Sequence, residues 1–308
     1  MKDQASALRQ IVGNLKKQRD ERPSEQGARL ICVTSGKGGV GKTSIAVNLA
    51  ISLVKKGLRV LLMDADFGLS NVDLMMGVSP PFDLSHVLSG KKQMRDVVAQ
   101  GPGGVQVVAG GSGMRSLIQM TETQLVDIMG VLVSLEDIAD MIILDTGAGI
   151  TPLIMRMIRA SQEAIVITTP EPTAIMDSYA LVKSLASGKS DTQLRLIVNR
   201  ARSAEEGEAA IQKFLAVVRL YLKNEIVSLG YLLNDTSVEK GVRQQQPFVL
   251  SYPRSVAAKN IEEIAWKLMG ATPNQTPGGL GRFVMGLLGR DKIRTIQPEE
   301  QSVSSAEP

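Results

Sequence analysis

The chain has 308 residues, of which 44% are hydrophobic, so it can bury a large core and form one large domain or two small ones. Its formal net charge of +4 points only weakly to anionic partners, and does not choose between lipid headgroups and nucleic acid. The single cysteine, Cys32, and the single histidine, His86, exclude an internal disulfide and a cysteine-rich metal site, and argue against multi-histidine or Ser-His-Asp chemistry. The start of the chain lacks the apolar core of a secretion signal, so we expect a cytosolic protein.

The first predicted element is a helix over residues 1–22. An apolar residue recurs at helical spacing along one face, formed by Leu8, Ile11, Val12 and Leu15. Residues 23–28 then form a predicted linker rich in turn residues. The helix therefore lies outside the core, where it either packs on the main body or docks on a partner.

A glycine-rich stretch, Ser35–Thr43, follows the first predicted strand, Leu30–Thr34, and precedes a helix over Thr43–Lys56. Its letters S-G-K-G-G-V-G-K-T fit the phosphate-loop pattern G-x-x-x-x-G-K-[ST]. Glycines let backbone N–H groups face a phosphate, and the helix N-terminus adds positive partial charge. We predict that Lys42 reaches the outer phosphates of a nucleotide and that Thr43 ligates Mg²⁺. The predicted nucleotide-binding residues of the loop are Gly36, Lys37, Gly38, Gly39, Val40, Gly41, Lys42, Thr43 and Ser44.

Carboxylates follow two further predicted strands. Asp64 and Asp66 come directly after Arg59–Met63, and Asp145 follows Met141–Leu144 within the letters D-T-G-A-G. Ligands of open α/β sheets bind at the carboxyl ends of the strands. We therefore expect one carboxylate of the first pair to orient an attacking water and the other to support a metal ion. Asp66 is the predicted water-positioning residue, and the predicted metal ligands are Thr43, Asp64 and Asp145.

Strands and helices continue to alternate, which predicts an α/β fold with a doubly wound, mostly parallel sheet covered by helices on both faces, over residues 29–270. At the end of one strand, Asn199 and Arg200 share the edge of the phosphate loop and are predicted to bind the nucleotide, with the Asn199 amide as the candidate for adenine recognition. The further predicted strands are Val105–Ala109, Ala164–Thr168, Leu194–Val198 and Ile226–Leu229, and the helices are Thr121–Leu135, Thr173–Ala186, Glu205–Leu222 and Ser255–Met269.

The residue composition changes after residue 270. Residues 271–279 read as a linker, 280–294 as a basic amphipathic helix, and 295–308 as a polar, disordered tail. Such a segment suits a surface-lying membrane anchor that contacts anionic lipids, although it could also cap the core or fill a partner's groove. The predicted membrane-binding residues are Leu280, Phe283, Val284, Leu287 and Leu288.

The loop letters K-G-G-V-G-K-T resemble the deviant Walker A motif of the MinD/ParA family of ATPases. The letters D-x-D-x-G-L-x-N-x-D, which begin at Asp64, are similar to the MinD branch, and the likeness covers about residues 29–269. The resemblance implies a P-loop NTPase fold that binds ATP with Mg²⁺ and forms a sandwich homodimer. In that family the lysine at the position of Lys37 crosses the dimer interface to the partner's nucleotide, whereas from the residue alone Lys37 could be a solvated loop lysine. Lys37, Lys42 and Asp66 are then the catalytic residues.

The N-terminal letters also resemble the activator motif of the flagellar-number ATPases of the FlhG (YlxH/FleN) family. The residues that carry this likeness are Asp3, Gln4, Ala5, Leu8 and Arg9. It implies control of flagellar number and placement, stimulation of the signal-recognition-particle-type GTPase FlhF, contact with cytoplasmic flagellar switch (C-ring) proteins, and ATP-dependent association with the inner face of the cell membrane. The alternatives are a MinD-type division-site ATPase and a ParA-type DNA-partitioning ATPase. DNA is not an expected partner, because no separate DNA-reading module is evident.

Overall fold

The computed structural model of the chain describes residues 28–66, 71–110, 134–187, 190–222 and 225–270. Three predicted elements lie outside these residues: the N-terminal helix, the amphipathic segment after residue 270, and all but the last residues of the helix Thr121–Leu135. Predictions about those segments stay predictions.

Eight strands form one sheet, in the order β3-β4-β2-β5-β1-β6-β7-β8. Every neighbouring pair is parallel except β3 with β4, which is antiparallel at one edge. The strands are β1 (Arg29–Ser35), β2 (Val60–Ala65), β3 (Val98–Gln100), β4 (Gln106–Val108), β5 (Met141–Ala148), β6 (Glu163–Thr168), β7 (Gln193–Ala201) and β8 (Ile226–Leu233). The predicted doubly wound, mostly parallel sheet is confirmed.

Helices connect the strands and cover the sheet. They are α1 (Lys42–Lys55), α2 (Val72–Met76), α3 (Leu84–Leu88), α4 (Met94–Val97), α5 (Pro152–Ala160), α6 (Pro172–Ala186), α7 (Ala204–Leu222), α8 (Thr236–Arg243), α9 (Phe248–Ser251) and α10 (Val256–Gly270), with 3-10 turns at Pro102–Gly104 and Ser134–Asp137. Among these described helices, none combines the length and the apolar content that a membrane-crossing segment requires.

The central strand β1 shows why its sequence is a continuous apolar run. Ile31 and Val33 face the core cluster that includes residues of α1 and α10. Cys32, one residue along, faces the opposite cluster, which is built with α5, α6 and α7. Successive side chains of a strand point to opposite faces, so a strand covered on both faces must be apolar throughout. Burial raises the pKa of the Cys32 thiol to about 12, which makes it an inert core residue.

A buried charge cluster joins the starting ends of the central strands. Glu163, fully buried at the start of β6, accepts hydrogen bonds from Arg195 Nε at 2.7 Å and from Arg29 Nη2 at 2.8 Å. Arg29 also donates from Nη1 to the Leu268 carbonyl oxygen at 2.8 Å. The carboxylate therefore compensates two guanidinium groups, and Arg29 fixes the start of β1 beside the end of α10.

This cluster predicts a large loss of stability when its carboxylate is removed. Glu163→Gln leaves the buried Arg195 without a counter-charge, and we expect the free energy of unfolding to fall by about 3 kcal/mol or more. The measurement is urea denaturation of the nucleotide-free protein. The matched control is Glu239→Gln, because Glu239 pairs with Arg243 on the surface of α8, where such a pair contributes about 0.5 kcal/mol. An equal loss of unfolding free energy in the two variants would contradict the role of Glu163 as the buried counter-charge.

Candidate nucleotide-binding site

The phosphate loop connects β1 to α1 and packs tightly against two neighbouring elements. A Cβ atom at Gly36 would lie 2.3 Å from the backbone of Asp177 in α6. Gly41 has a φ of 90°, and a Cβ atom there would lie 2.4 Å from Asn199 Nδ2. Only glycine fits either position. Because Gly41 precedes α1 and supplies no side-chain cap, the first N–H groups of the helix are open to an anionic ligand.

A buried ion pair lies at the centre of the site. Lys42 Nζ donates to Asp145 Oδ1 at 2.9 Å, and the exposed fractions of the two side chains are 9% and 1%. The sheet order causes this contact, since β5 lies directly beside β1 and pairs Asp145 with Val33. The structure thus brings together the loop lysine and the carboxylate that were predicted separately from two distant motifs.

The Asp145 carboxyl has the environment of a cation ligand. Burial raises its pKa, the Lys42 ammonium and the Thr43 hydroxyl act in the opposite direction, and the neighbouring Asp64 raises it slightly. Its second oxygen, Oδ2, is buried and has no hydrogen-bond partner among the described residues. A buried oxygen of this kind calls for a ligand or water. The donor set of Thr43 and Asp145 therefore fits Mg²⁺, which prefers carboxylate and hydroxyl oxygens.

Asp64 joins the end of β2 to the start of α2. Its carboxylate accepts backbone N–H groups from Asp66 at 2.9 Å, Asn71 at 2.9 Å and Val72 at 3.3 Å. It also lies next to Asp145, its partner in the register of β2 and β5. Asp64 thus fixes the position of Asp66 and of the first residues of α2. Its direct ligation of a metal stays a prediction.

Asp66 lies against the end of β5. A Cβ atom at Gly147 would lie 3.4 Å from Asp66 Oδ1, so the backbone of this strand end is close to the predicted water-positioning carboxylate. Gly149, which follows β5, donates its N–H to the Ser35 carbonyl oxygen at 2.9 Å and joins the strand end to the start of the phosphate loop. The carboxylates and glycines singled out by the sequence therefore meet at one edge of the sheet.

Asn199 joins β7 to the phosphate loop. Its Nδ2 donates to the Val40 carbonyl oxygen at 2.7 Å, and its Oδ1 accepts the N–H of Arg200 at 2.9 Å. Arg200 adopts a φ of 59°, which is uncommon for a residue with a side chain and marks local strain. Asn199 thus holds the phosphate loop in place. Its contact with adenine stays a prediction, and the Arg200 side chain is exposed at the same edge.

Lys37 makes contacts that the sequence did not predict. Its Nζ lies 3.2 Å from Glu171 Oε2 and 2.9 Å from Thr173 Oγ1, both at the start of α6. Glu171 ends the letters T-T-P-E, to which the sequence analysis assigned no role. The sequence feature that could have identified Glu171 is its position just after β6, at the sheet edge that carries the phosphate loop.

A phosphate loop, a buried lysine-carboxylate pair and a three-layer α/β sheet define a P-loop nucleotide-binding protein. The sequence profile of a ParA family, described as the NUBPL iron-transfer P-loop NTPase, matches residues 27–269. The chain therefore belongs to the ParA/MinD family of P-loop ATPases, as its motifs predicted.

Relatives within the family include flagellar and cell-division proteins. The antiactivator FleN of Pseudomonas aeruginosa is 38% identical over 240 residues, 78% of this chain and 86% of that protein. The flagellum site-determining protein YlxH of Helicobacter pylori is 34% identical over 274 residues, covering 87% and 91% of the two chains. Among solved structures, MinD of Pyrococcus horikoshii in complex with Mg-ADP shares 27% identity and a TM-score of 0.64, covering 78% of this chain and 96% of that one.

The hydrogen bond from Asn199 to the loop gives a test of its role. If Asn199 acts through its hydrogen bond to the Val40 carbonyl, Asn199→Ala loosens the phosphate loop. The variant then binds ATP and GTP more weakly by the same factor, about tenfold for the loss of one buried hydrogen bond. If it reads adenine, the variant loses ATP affinity and keeps GTP affinity. Calorimetric titration with ATP and with GTP measures the two affinities and their ratio. Asn260→Ala is the matched control, because the Asn260 side chain in α10 likewise accepts a backbone N–H, that of Leu233 at the end of β8.

Proposed function

We propose that this protein is an ATP-dependent, dimerising and membrane-cycling ATPase that controls flagellar number and placement. The observation that carries the proposal is the phosphate loop itself, which has one lysine buried against Asp145 and a second, Lys37, at the exposed face of the site. The similarity to FleN and YlxH supports the flagellar assignment over cell division or DNA partitioning.

The geometry of the site supports the proposed ATP hydrolysis. When bound, Mg²⁺ supplies positive charge to the phosphates, and Thr43 and Asp145 are the residues that would hold it. Lys42 leaves Asp145 to stabilise charge on the outer phosphates, while the open N-terminus of α1 binds their oxygens. Asp66 accepts a hydrogen bond from the attacking water and orients it. Catalysis of this kind depends on positioning and electrostatics.

Dimer formation supplies the remaining positive charge. Lys37 lies at the exposed edge of the sheet, so in a homodimer that faces this edge toward a second copy it can reach the partner's nucleotide. A cation delivered in this way stabilises the charge that develops on the transferred phosphoryl group. ATP turnover then depends on protein concentration, and hydrolysis ends the dimeric state.

The two ends of the chain couple this cycle to partners. In the proposal, the N-terminal segment stimulates the GTPase FlhF through Asp3, Gln4, Ala5, Leu8 and Arg9. Cytoplasmic flagellar switch proteins are further partners. The apolar residues between 280 and 288 insert into anionic lipids at the inner face of the cell membrane in the ATP-bound dimer, and the protein returns to the cytoplasm after hydrolysis.

The assignment of Asp66 is tested by its removal. We expect Asp66→Ala to bind ATP and to stay dimeric, because Asp145 and both loop lysines remain. Turnover falls by at least about 100-fold, the usual loss for a group that positions the reacting water. A phosphate-release assay and analytical ultracentrifugation measure the two properties. Glu208→Ala, on the exposed surface of α7, is the control, and normal turnover by Asp66→Ala would remove Asp66 from the mechanism.

Two truncations test the roles of the chain ends. A chain that stops at Gly279 should lose ATP-dependent co-sedimentation with anionic liposomes and still stimulate FlhF. A chain that starts at Ala28 should lose stimulation of FlhF and keep ATP-dependent liposome binding, because it lacks the proposed activator residues and retains the proposed membrane-binding segment.

Each result has a distinct meaning. Unchanged liposome binding by the chain that stops at Gly279 refutes the membrane anchor. ATP-dependent and salt-sensitive retention on DNA, without liposome binding, would favour the DNA-partitioning alternative.

A further inference from the structure

Trp266 is the single tryptophan of the chain, and more than half of its surface faces solvent. It lies four residues before the end of α10 and is 59% exposed. Its indole N–H donates to none of the described residues. A tryptophan ring has an apolar body and one polar N–H, a combination that is stable where an apolar phase meets water. Trp266 thus has both an apolar surface and a hydrogen-bond donor to offer to a ligand.

The ring is held in place by the residue that follows α1. Lys56 places its Nζ atom 4.1 Å from the centre of the Trp266 ring. The same ammonium lies 3.3 Å from Glu262 Oε1, and the Lys56 side chain is only 6% exposed. The attraction between the cation and the face of the ring holds the ring in one orientation. The remainder of the ring is therefore presented to solvent in a fixed position.

The place of Trp266 in the chain indicates what covers the ring. The described residues end at Gly270, four residues after Trp266. The predicted linker 271–279 and the predicted membrane-binding segment 280–294 follow directly. A flexible chain of the linker's nine residues has a root-mean-square end-to-end distance of about 15–18 Å. A bilayer bound by that segment is therefore held close to the end of α10.

The charge around the ring is compatible with an anionic lipid surface. Lys267, the next residue, is exposed and forms no ion pair with a described residue. On the exposed side of α10 and at the end of α1, three lysines outnumber two glutamates: Lys56, Lys259 and Lys267, against Glu262 and Glu263. The charge of Glu262 is already compensated by Lys56. A cation next to the ring favours contact with anionic headgroups.

We propose that the exposed side of the last two turns of α10 is a second membrane-contact surface, in which Trp266 enters the headgroup region of an anionic bilayer. This inference rests on the proposed function, in which segment 280–294 brings the protein to the membrane. That segment supplies the attachment, and Trp266 and Lys267 then fix the orientation of the domain. The ring packs at the boundary of the acyl chains, while its N–H donates to headgroup oxygens.

The contact leaves the nucleotide-binding edge of the sheet free. Helix α1 begins at Lys42 in the phosphate loop and ends just before Lys56, which lies against the Trp266 ring. A helix of its 14 residues is about 21 Å long. The membrane-contact surface and the phosphate loop therefore lie at opposite ends of one rigid helix. Binding to the bilayer in this orientation does not cover the edge at which a second copy would dock.

The single tryptophan makes this contact directly measurable. The full-length protein is mixed with vesicles of phosphatidylglycerol and phosphatidylcholine in the presence of a non-hydrolysable ATP analogue, and the fluorescence of Trp266 is recorded. We expect the emission to shift to shorter wavelength, and to be quenched when the acyl chains carry bromine, because the ring enters the bilayer boundary. The chain that stops at Gly279 should show neither change at the same lipid concentration.

Substitution of the ring tests its contribution to binding. Trp266→Ala should bind the same vesicles about three- to tenfold more weakly in co-sedimentation, because apolar surface is no longer buried in the bilayer. Trp266→Phe keeps an aromatic ring and should lose less. Leu220→Ala is the matched control, since Leu220 is 71% exposed on α7, which covers the opposite face of the sheet from α10. All three variants should bind ATP like the native protein, because the substituted side chains lie outside the core.

The outcomes separate this inference from the proposed function. A shifted and bromine-quenched emission, together with weaker vesicle binding by Trp266→Ala, supports the contact. Vesicle binding with unchanged Trp266 emission, or equal affinities of the native protein and Trp266→Ala, overturns the contact and leaves the membrane anchor in place. An emission shift that appears with the nucleotide in the absence of vesicles means that protein covers the ring, which also overturns it. If the native protein does not bind vesicles at all, both the contact and the membrane cycle are refuted.

Discussion

The buried pair between Lys42 and Asp145 is the contact on which the site depends. Neither charge is stable alone in a place with so little solvent, and each is brought to the other by a different part of the fold. The glycines of the loop allow the chain to turn into α1, and the neighbouring positions of β1 and β5 place the carboxylate opposite. Moving either element would leave an uncompensated charge in the core.

Both lysines of the loop have carboxylate partners. Lys42 has Asp145 and Lys37 has Glu171, so each cation has an anionic partner within its own chain. The two contacts differ in their surroundings, since the first is buried and the second exposed. A phosphate that binds Lys42 therefore competes with a buried carboxylate, whereas an anion that binds Lys37 competes with an exposed one.

The sequence predicted those features of the fold and of the site that depend on a local residue pattern. The letters of the phosphate loop, the apolar strands and the carboxylates after them identified Lys42, Asp145 and the sheet, because strand ends in a parallel sheet meet at one edge. It could not predict that Asn199 bonds to Val40 or that Glu171 bonds to Lys37. Those contacts join residues far apart in the chain through side-chain geometry that no periodicity encodes. The antiparallel strand β3 was also missed, since three residues give too short a pattern.

The contact of Arg29 with the Leu268 carbonyl has a consequence for how the two ends of the chain work together. It places the points where the N-terminal and C-terminal segments join the body side by side. A flexible chain with as many residues as the proposed linker 23–28 has a root-mean-square end-to-end distance of about 12–15 Å. In the proposed function, a partner bound by the N-terminal segment is therefore held near the membrane that the C-terminal segment binds, at an effective concentration in the millimolar range. Attachment to the bilayer would thus favour capture of the partner without any change in the fold.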